Sequence, residues 1–147
     1  MATFPSFNPE HLESVARELG ELMTGTQLDQ LFVTRGISDI SGQSTKWRRI
    51  HHSLLTRQEA DRCGNNVAAF VMAVMAPSRH VSDQARYESA RSALNKVLIF
   101  DGLQLGEDGQ FRRVNAANTI SEAKRRAEGM ASRLRGRDIH PEILRYC

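Results

Sequence analysis

At 147 residues, with 40% hydrophobic and 25% charged side chains and a formal net charge of +3, the chain has the size and composition of one globular domain, not of a disordered tail. No stretch approaches the roughly 20 apolar residues a bilayer span needs, and Met1 to Pro5 lack the charged start and apolar run of a signal peptide. Two cysteines, Cys63 and Cys147, cannot frame a small disulfide-built fold, so a reducing cytoplasm is the expected setting.

In chain order, Asn8 and Pro9 open a first helix, with Phe7 and Leu12 spaced as a hydrophobic staple. Its apolar stripe is Leu12, Val15, Ala16, Leu19, Leu22 and Met23. Thr24 to Gln27 is a capping box that starts a short second helix, with Leu28, Leu31 and Phe32 inward and Gly36 as its stop. A polar loop over 37–43 leads to Ser44 as N-cap of a third helix running to about Arg62. Trp47, Ile50, His51, Leu54 and Leu55 share one of its faces, which places Trp47 in the core.

Cys63-Gly64 is expected to end that helix, and Asn65 and Asn66 to cap a fourth over 67–76. This segment is apolar on every side, the mark of a core centre, and Pro77 closes it. After a loop over 78–82, Asp83 caps a long fifth helix with Tyr87, Ala90, Leu94, Val97 and Leu98 inward and Gly102 at its end. Leu103 to Leu105 and Phe111 to Val114 flank Asp108-Gly109, a hairpin signal. Thr119 and Glu122 form another capping box, opening a last helix with Ile120, Ala123, Ala127, Met130, Ala131 and Leu134 on its inner stripe. The expected fold is mainly α: a bundle-like single domain over 1–147 with six helices and one small β-hairpin. The helix-then-hairpin order of 83–114 also admits a winged-helix-like element.

The net +3 conceals a split. Residues 1–43 hold two basic groups against six acidic ones, and the remainder holds 18 against 11. One basic cluster is Lys46, Arg48, Arg49, Arg57 and Arg62; the other runs from Arg112 and Arg113 through Lys124, Arg125 and Arg126 to Arg133, Arg135 and Arg137. Of the 20 basic residues 17 are arginine, the side chain suited to bidentate phosphate contacts. Two readings stay open on these residues: solvated helix faces, or a surface for an anionic partner, nucleic acid first.

Catalytic and metal motifs are missing. The histidines and cysteines show no CxxC, HxxxH or HExxH spacing, no GxSxG occurs, and no glycine run matches a Walker loop or GxGxxG. Cys63 falls at a predicted helix C-terminus, the end that does not favour a thiolate. Arg135 to His140 fits a loose Arg-x4-His spacing, but Gly136 interrupts it and Pro141 follows, so the match reads as chance. No metal, no cofactor and no enzymatic activity are expected.

A series of short segments carries a resemblance: Met23-Thr-Gly-Thr-Gln-Leu28, Thr45-Lys46-Trp47, Cys63-Gly-Asn-Asn-Val67, Met75-Ala-Pro77, Asp101-Gly-Leu-Gln-Leu105, Glu107-Asp108-Gly109, Thr119-Ile-Ser-Glu-Ala123 and Arg137-Asp-Ile-His140. In this order they are similar to the N-terminal region of prokaryotic Ymh-type hypothetical proteins, related to the N-terminal module of abortive-infection, anti-phage proteins. The resemblance implies a phage-, plasmid- or restriction-associated setting. It also implies a helical, HEPN-like effector domain beyond Cys147, which would hold any catalytic Arg and His; no catalytic residue carries over to this chain. The expected function is therefore a non-enzymatic recognition or regulatory domain. It would bind nucleic acid through Arg112, Arg113, Lys124, Arg125, Arg126, Arg133 and Arg137, with Lys46, Arg48 and Arg49 as a second patch. The alternative is a protein-interaction module that mediates homodimerisation or docks an effector domain.

Overall fold

Asn8 Oδ1 accepts from the amides of Glu10 (2.8 Å) and His11 (3.4 Å), and Pro9 fills the first helical position, so α1 (Pro9–Gly20) begins where local chemistry sets it. The computed structural model describes residues 3–39 and 41–126, and the chain divides into two compact units, Met1–Met75 and Ala76–Cys147. The fold is mainly α, with one two-stranded antiparallel sheet among the described residues. None of the described helices is long and apolar enough to cross a membrane.

In the Met1–Met75 unit, the Thr24 hydroxyl and Gln27 side chain exchange the reciprocal bonds of a capping box (3.1 and 2.9 Å) and start α2 (Gly25–Arg35). Gly36 ends it in the left-handed region at φ 66°. α3 (Lys46–Asp61) packs along α1, and α4 (Asn65–Val74) packs on α2 and α3. The unit's core is Leu12, Val15, Leu19, Leu28, Ile50, Leu54, Phe70 and Val71, with the Phe32 and Phe70 rings stacked at 5.5 Å.

Three expectations need correction here. The cap of α3 is Thr45, one residue after Ser44, and its side chain makes no capping bond. α3 ends at about Arg62 as expected, but the residue that closes it in the left-handed conformation is Arg62 itself, at φ 58°, and not the Cys63-Gly64 pair. Asn65 and Asn66 do not cap α4. Asn65 Oδ1 instead accepts from the Phe4 amide (2.7 Å), and Asn66 Nδ2 donates to Asp61 (2.6 Å).

Those bonds hold the segment before α1 in place. Gly64 N–H donates to the Phe4 carbonyl (2.8 Å), and the buried Gln58 amide pairs with both the N–H and the C=O of Phe7, each at 2.9 Å. α4 is deep on the side of Val67, Phe70, Val71 and Val74, while Ala69, Met72 and Ala73 are half-buried, so only one of its apolar faces is a core face.

In the Ala76–Cys147 unit, Pro77–Arg79 forms one tight 3-10 turn at the start of the loop expected over 78–82. Asp83 Oδ1 then caps α5 (Gln84–Leu98) through the Arg86 amide at 3.0 Å. A second 3-10 turn, Ile99–Asp101, and Gly102 at φ 72° lead into β1 (Leu103–Leu105). β1 pairs with β2 (Phe111–Arg113) in the register Leu103 to Arg113 and Leu105 to Phe111, with Gly109 at φ 75° in the turn. The Asn95 amide of α5 brackets Leu105, donating to its C=O (3.0 Å) and accepting from its N–H (2.7 Å). Thr119 caps a helical stretch at 120–126 through the Glu122 amide (3.1 Å), and Ala123 packs inward against Ile99 and Ala117. Ile120, expected on that inner stripe, is 69% exposed. Ala127, Met130, Ala131 and Leu134 lie outside the described residues.

Candidate nucleic-acid interface

The basic residues singled out in the sequence divide between the two units and into different environments. In the Ala76–Cys147 unit, Lys124 and Arg125 are exposed on the 120–126 helix, turned outward because Ala123 between Ile99 and Ala117 faces in. Arg113 is exposed at the end of β2. Arg126 is partly covered: it donates to the Asn115 carbonyl and lies 3.6 Å from the Glu122 carboxylate. Arg133 and Arg137 lie outside the described residues.

Arg112 departs from expectation. Only 4% exposed, it lies with Gln104 opposite it in the register among the buried residues of the hairpin. Its guanidinium lies over Gly106, where any Cβ would collide with Nη1, and Nη2 reaches Asp108 at 3.4 Å. The strand alternates its side chains, so Arg112 and Arg113 point to opposite faces, and here Arg112 is buried and Arg113 exposed. Arg112 is therefore a hairpin-packing residue rather than part of a phosphate-binding surface.

In the Met1–Met75 unit, Arg49 is likewise withdrawn. Its Nε donates to Asp39 at 2.7 Å, Nη2 pairs with Asp29, and the guanidinium lies 5.9 Å above the Phe32 ring. The hydrogen bond to Asp29, opposed by desolvation and reinforced by Asp39, holds its pKa above the ordinary arginine value. Burial works against the Asp39 carboxylate, but hydrogen bonds from Arg49 and Ser41 outweigh it and hold its pKa below the usual one. Lys46 is half-buried, its Nζ donating to the Met23 carbonyl at 2.6 Å in the link between α1 and α2. Arg57 bonds Asp61 and the Gly36 carbonyl. Of the expected second patch, Arg48 alone is exposed.

Trp47 is half-buried, not in the core. The Arg17 guanidinium stacks 3.8 Å from its ring centroid, and that of Arg48 lies at 5.2 Å. No short motif marked this group, because Arg17 and Trp47 are joined only by the crossing of α1 and α3. Gly20 makes that crossing close: a Cβ there would stand 3.3 Å from the Trp47 amide nitrogen.

A second feature unmarked in the sequence is a cleft of about 530 Å³ in the Ala76–Cys147 unit, lined by residues that include His80, Tyr87, Glu88 and Glu107. The His80 and Tyr87 rings pack at 4.9 Å, and burial pushes the Tyr87 phenol above its ordinary pKa against the pull of Arg91. Buried Arg91 reaches from α5 to the Leu105 carbonyl (3.1 Å) and to Glu88 (2.8 Å), so this arginine anchors the hairpin. Among the described residues no three His, Cys, Asp or Glu side chains come together as a metal site. No protein-family model, curated protein or solved structure matches the chain.

Proposed function

We propose that the chain is a non-enzymatic recognition domain of a prokaryotic, abortive-infection-type anti-phage protein, acting in the cytoplasm by binding nucleic acid. The observation that carries the binding is the exposed pair Lys124 and Arg125, which make no ion pair among the described residues. Arg113 is an exposed basic residue of the same unit. The anti-phage setting is supported by the resemblance of the segments quoted above to Ymh-type proteins.

Phosphate neutralisation releases condensed counterions, so the affinity falls with salt in proportion to the contacts made. Reversing both charges, Lys124→Glu with Arg125→Glu, is expected to weaken binding to short DNA or RNA. It should also reduce the slope of log affinity against log salt by about 2, the loss of two phosphate contacts. The melting temperature should stay at the wild-type value, because both side chains are exposed. Salt-independent binding, or none at low salt, overturns the proposal. A salt-sensitive dimer in light scattering, without affinity for nucleic acid, transfers the support to an interaction module.

A further inference from the structure

Resting on that nucleic-acid reading, we infer that Trp47, flanked by Arg17 and Arg48, is a stacking site for an unpaired base, which makes single-stranded nucleic acid the ligand class. Trp47 is the chain's sole tryptophan and stands in the first turn of α3, half-buried beside a helix face that buries Ile50 and Leu54. Two guanidiniums lie at its ring, at 3.8 and 5.2 Å from the centroid. Both reach solvent: the Arg17 side chain is 55% exposed, and Arg48 is exposed.

The backbone that carries the indole is held in place. Gly20 lets α1 approach the Trp47 backbone, and the Lys46 bond to the Met23 carbonyl fixes the residue before it. An aromatic face takes a base by stacking, and adjacent guanidiniums take its phosphates and stack in turn. A duplex keeps its bases inside and offers the same group only phosphates. Arg17 also pairs with the exposed Glu13 carboxylate at 3.2 Å, a bond that a phosphate replaces at little cost. A purely structural staple between α1 and α3 would show the same geometry, but its tryptophan would not respond to ligand.

The test titrates the full chain with a dT oligonucleotide and with a duplex of equal length. It reads Trp47 fluorescence and, independently, the anisotropy of a fluorescein label on the DNA. Quenching by the single strand that saturates together with the anisotropy, and no quenching by the duplex, is the expected result. Trp47→Leu should weaken dT binding roughly tenfold. Arg48→Ala, which removes an exposed side chain and leaves the fold intact, should weaken it several-fold. Rising anisotropy with flat fluorescence and unaltered Trp47→Leu binding refutes the stacking site and leaves the nucleic-acid reading standing. Equal quenching by the duplex refutes the single-strand assignment, and no anisotropy change with either DNA at low salt refutes both.

Discussion

Gly64 and Arg62, two positions apart, divide the work of one helix–helix turn. A side chain at Gly64 would collide with the Pro5 carbonyl and stand 2.9 Å from the Phe7 ring, because the segment before α1 lies directly across it. Its backbone needs no glycine, since φ is −97°. Arg62 is the reverse: φ is 58°, in the region where a Cβ is strained, and the residue that occupies it is not a glycine. The two substitutions should therefore have opposite signs. Gly64→Ala is expected to destabilise by about 2 kcal/mol, as overpacking against backbone does. Arg62→Gly should stabilise by about 0.5–1 kcal/mol by relieving the left-handed strain. Urea unfolding of both variants checks the pair, and equal signs would contradict this account. Sequence reasoning assigned the stop to Cys63-Gly64 because a glycine near a helix end usually terminates it. The actual demand on Gly64 comes from Pro5 and Phe7, more than fifty residues away, and no local pattern carries it.

Between elements, one device recurs: a buried side-chain amide that satisfies both backbone groups of a single distant residue. Gln58 of α3 does this for Phe7, and Asn95 of α5 does it for Leu105. Each locks an irregular or short segment to a helix that could not otherwise pair with it. Asn95→Ala leaves the Leu105 N–H without its buried partner and its C=O with Arg91 alone, a loss of about 2–3 kcal/mol. Hydrogen exchange should locate it, the Leu105 amide losing protection more than the amides of α1. Uniform loss of protection would mean the hairpin is not held by this bond. Four helix starts were legible because their caps are local: Asn8, Thr24 with Gln27, Asp83 and Thr119 all bond within three residues, whereas α3 and α4 have no side-chain cap to read. The hairpin turn was legible for the same reason, through Asp108-Gly109. The environments of Arg49, Arg112 and Trp47 were not, since each depends on a partner brought in by packing: Asp29 and Asp39, Gly106, and Arg17. Charge counting finds arginines; only the fold tells which are internal ties and which face solvent.

At the scale of the molecule, the charge split follows the two units more informatively than a division after residue 43. Met1–Met75 holds seven basic and eight acidic residues, and Ala76–Cys147 holds thirteen and nine. The basic cluster of α3 is thus balanced inside its own unit, by Asp29 and Asp39 on Arg49 and by Asp61 on Arg57, whereas the surplus belongs to the second unit. Among the described residues, the carboxylates held below their ordinary pKa lie in the first unit. The hydrogen bond from Asn66, against desolvation and with help from Arg57, holds the Asp61 pKa below the ordinary value, and Asp39 is lowered as well. A carboxylate with a depressed folded pKa binds fewer protons folded than unfolded. Its stabilising contribution is fully present above the unfolded value of about 3.9 and is lost as pH falls through the lower folded values. Trp47 lies in this unit and is the only tryptophan, so its fluorescence reads this transition without contribution from the second unit. Urea midpoints followed at Trp47 should hold level from pH 7 to about 5 and fall steeply below about 4. Asp39→Asn should lower the neutral plateau and flatten the acid limb together, because it removes the charge whose protonation drives the fall. A variant that loses stability at pH 7 yet keeps the full acid dependence would place the titrating group elsewhere.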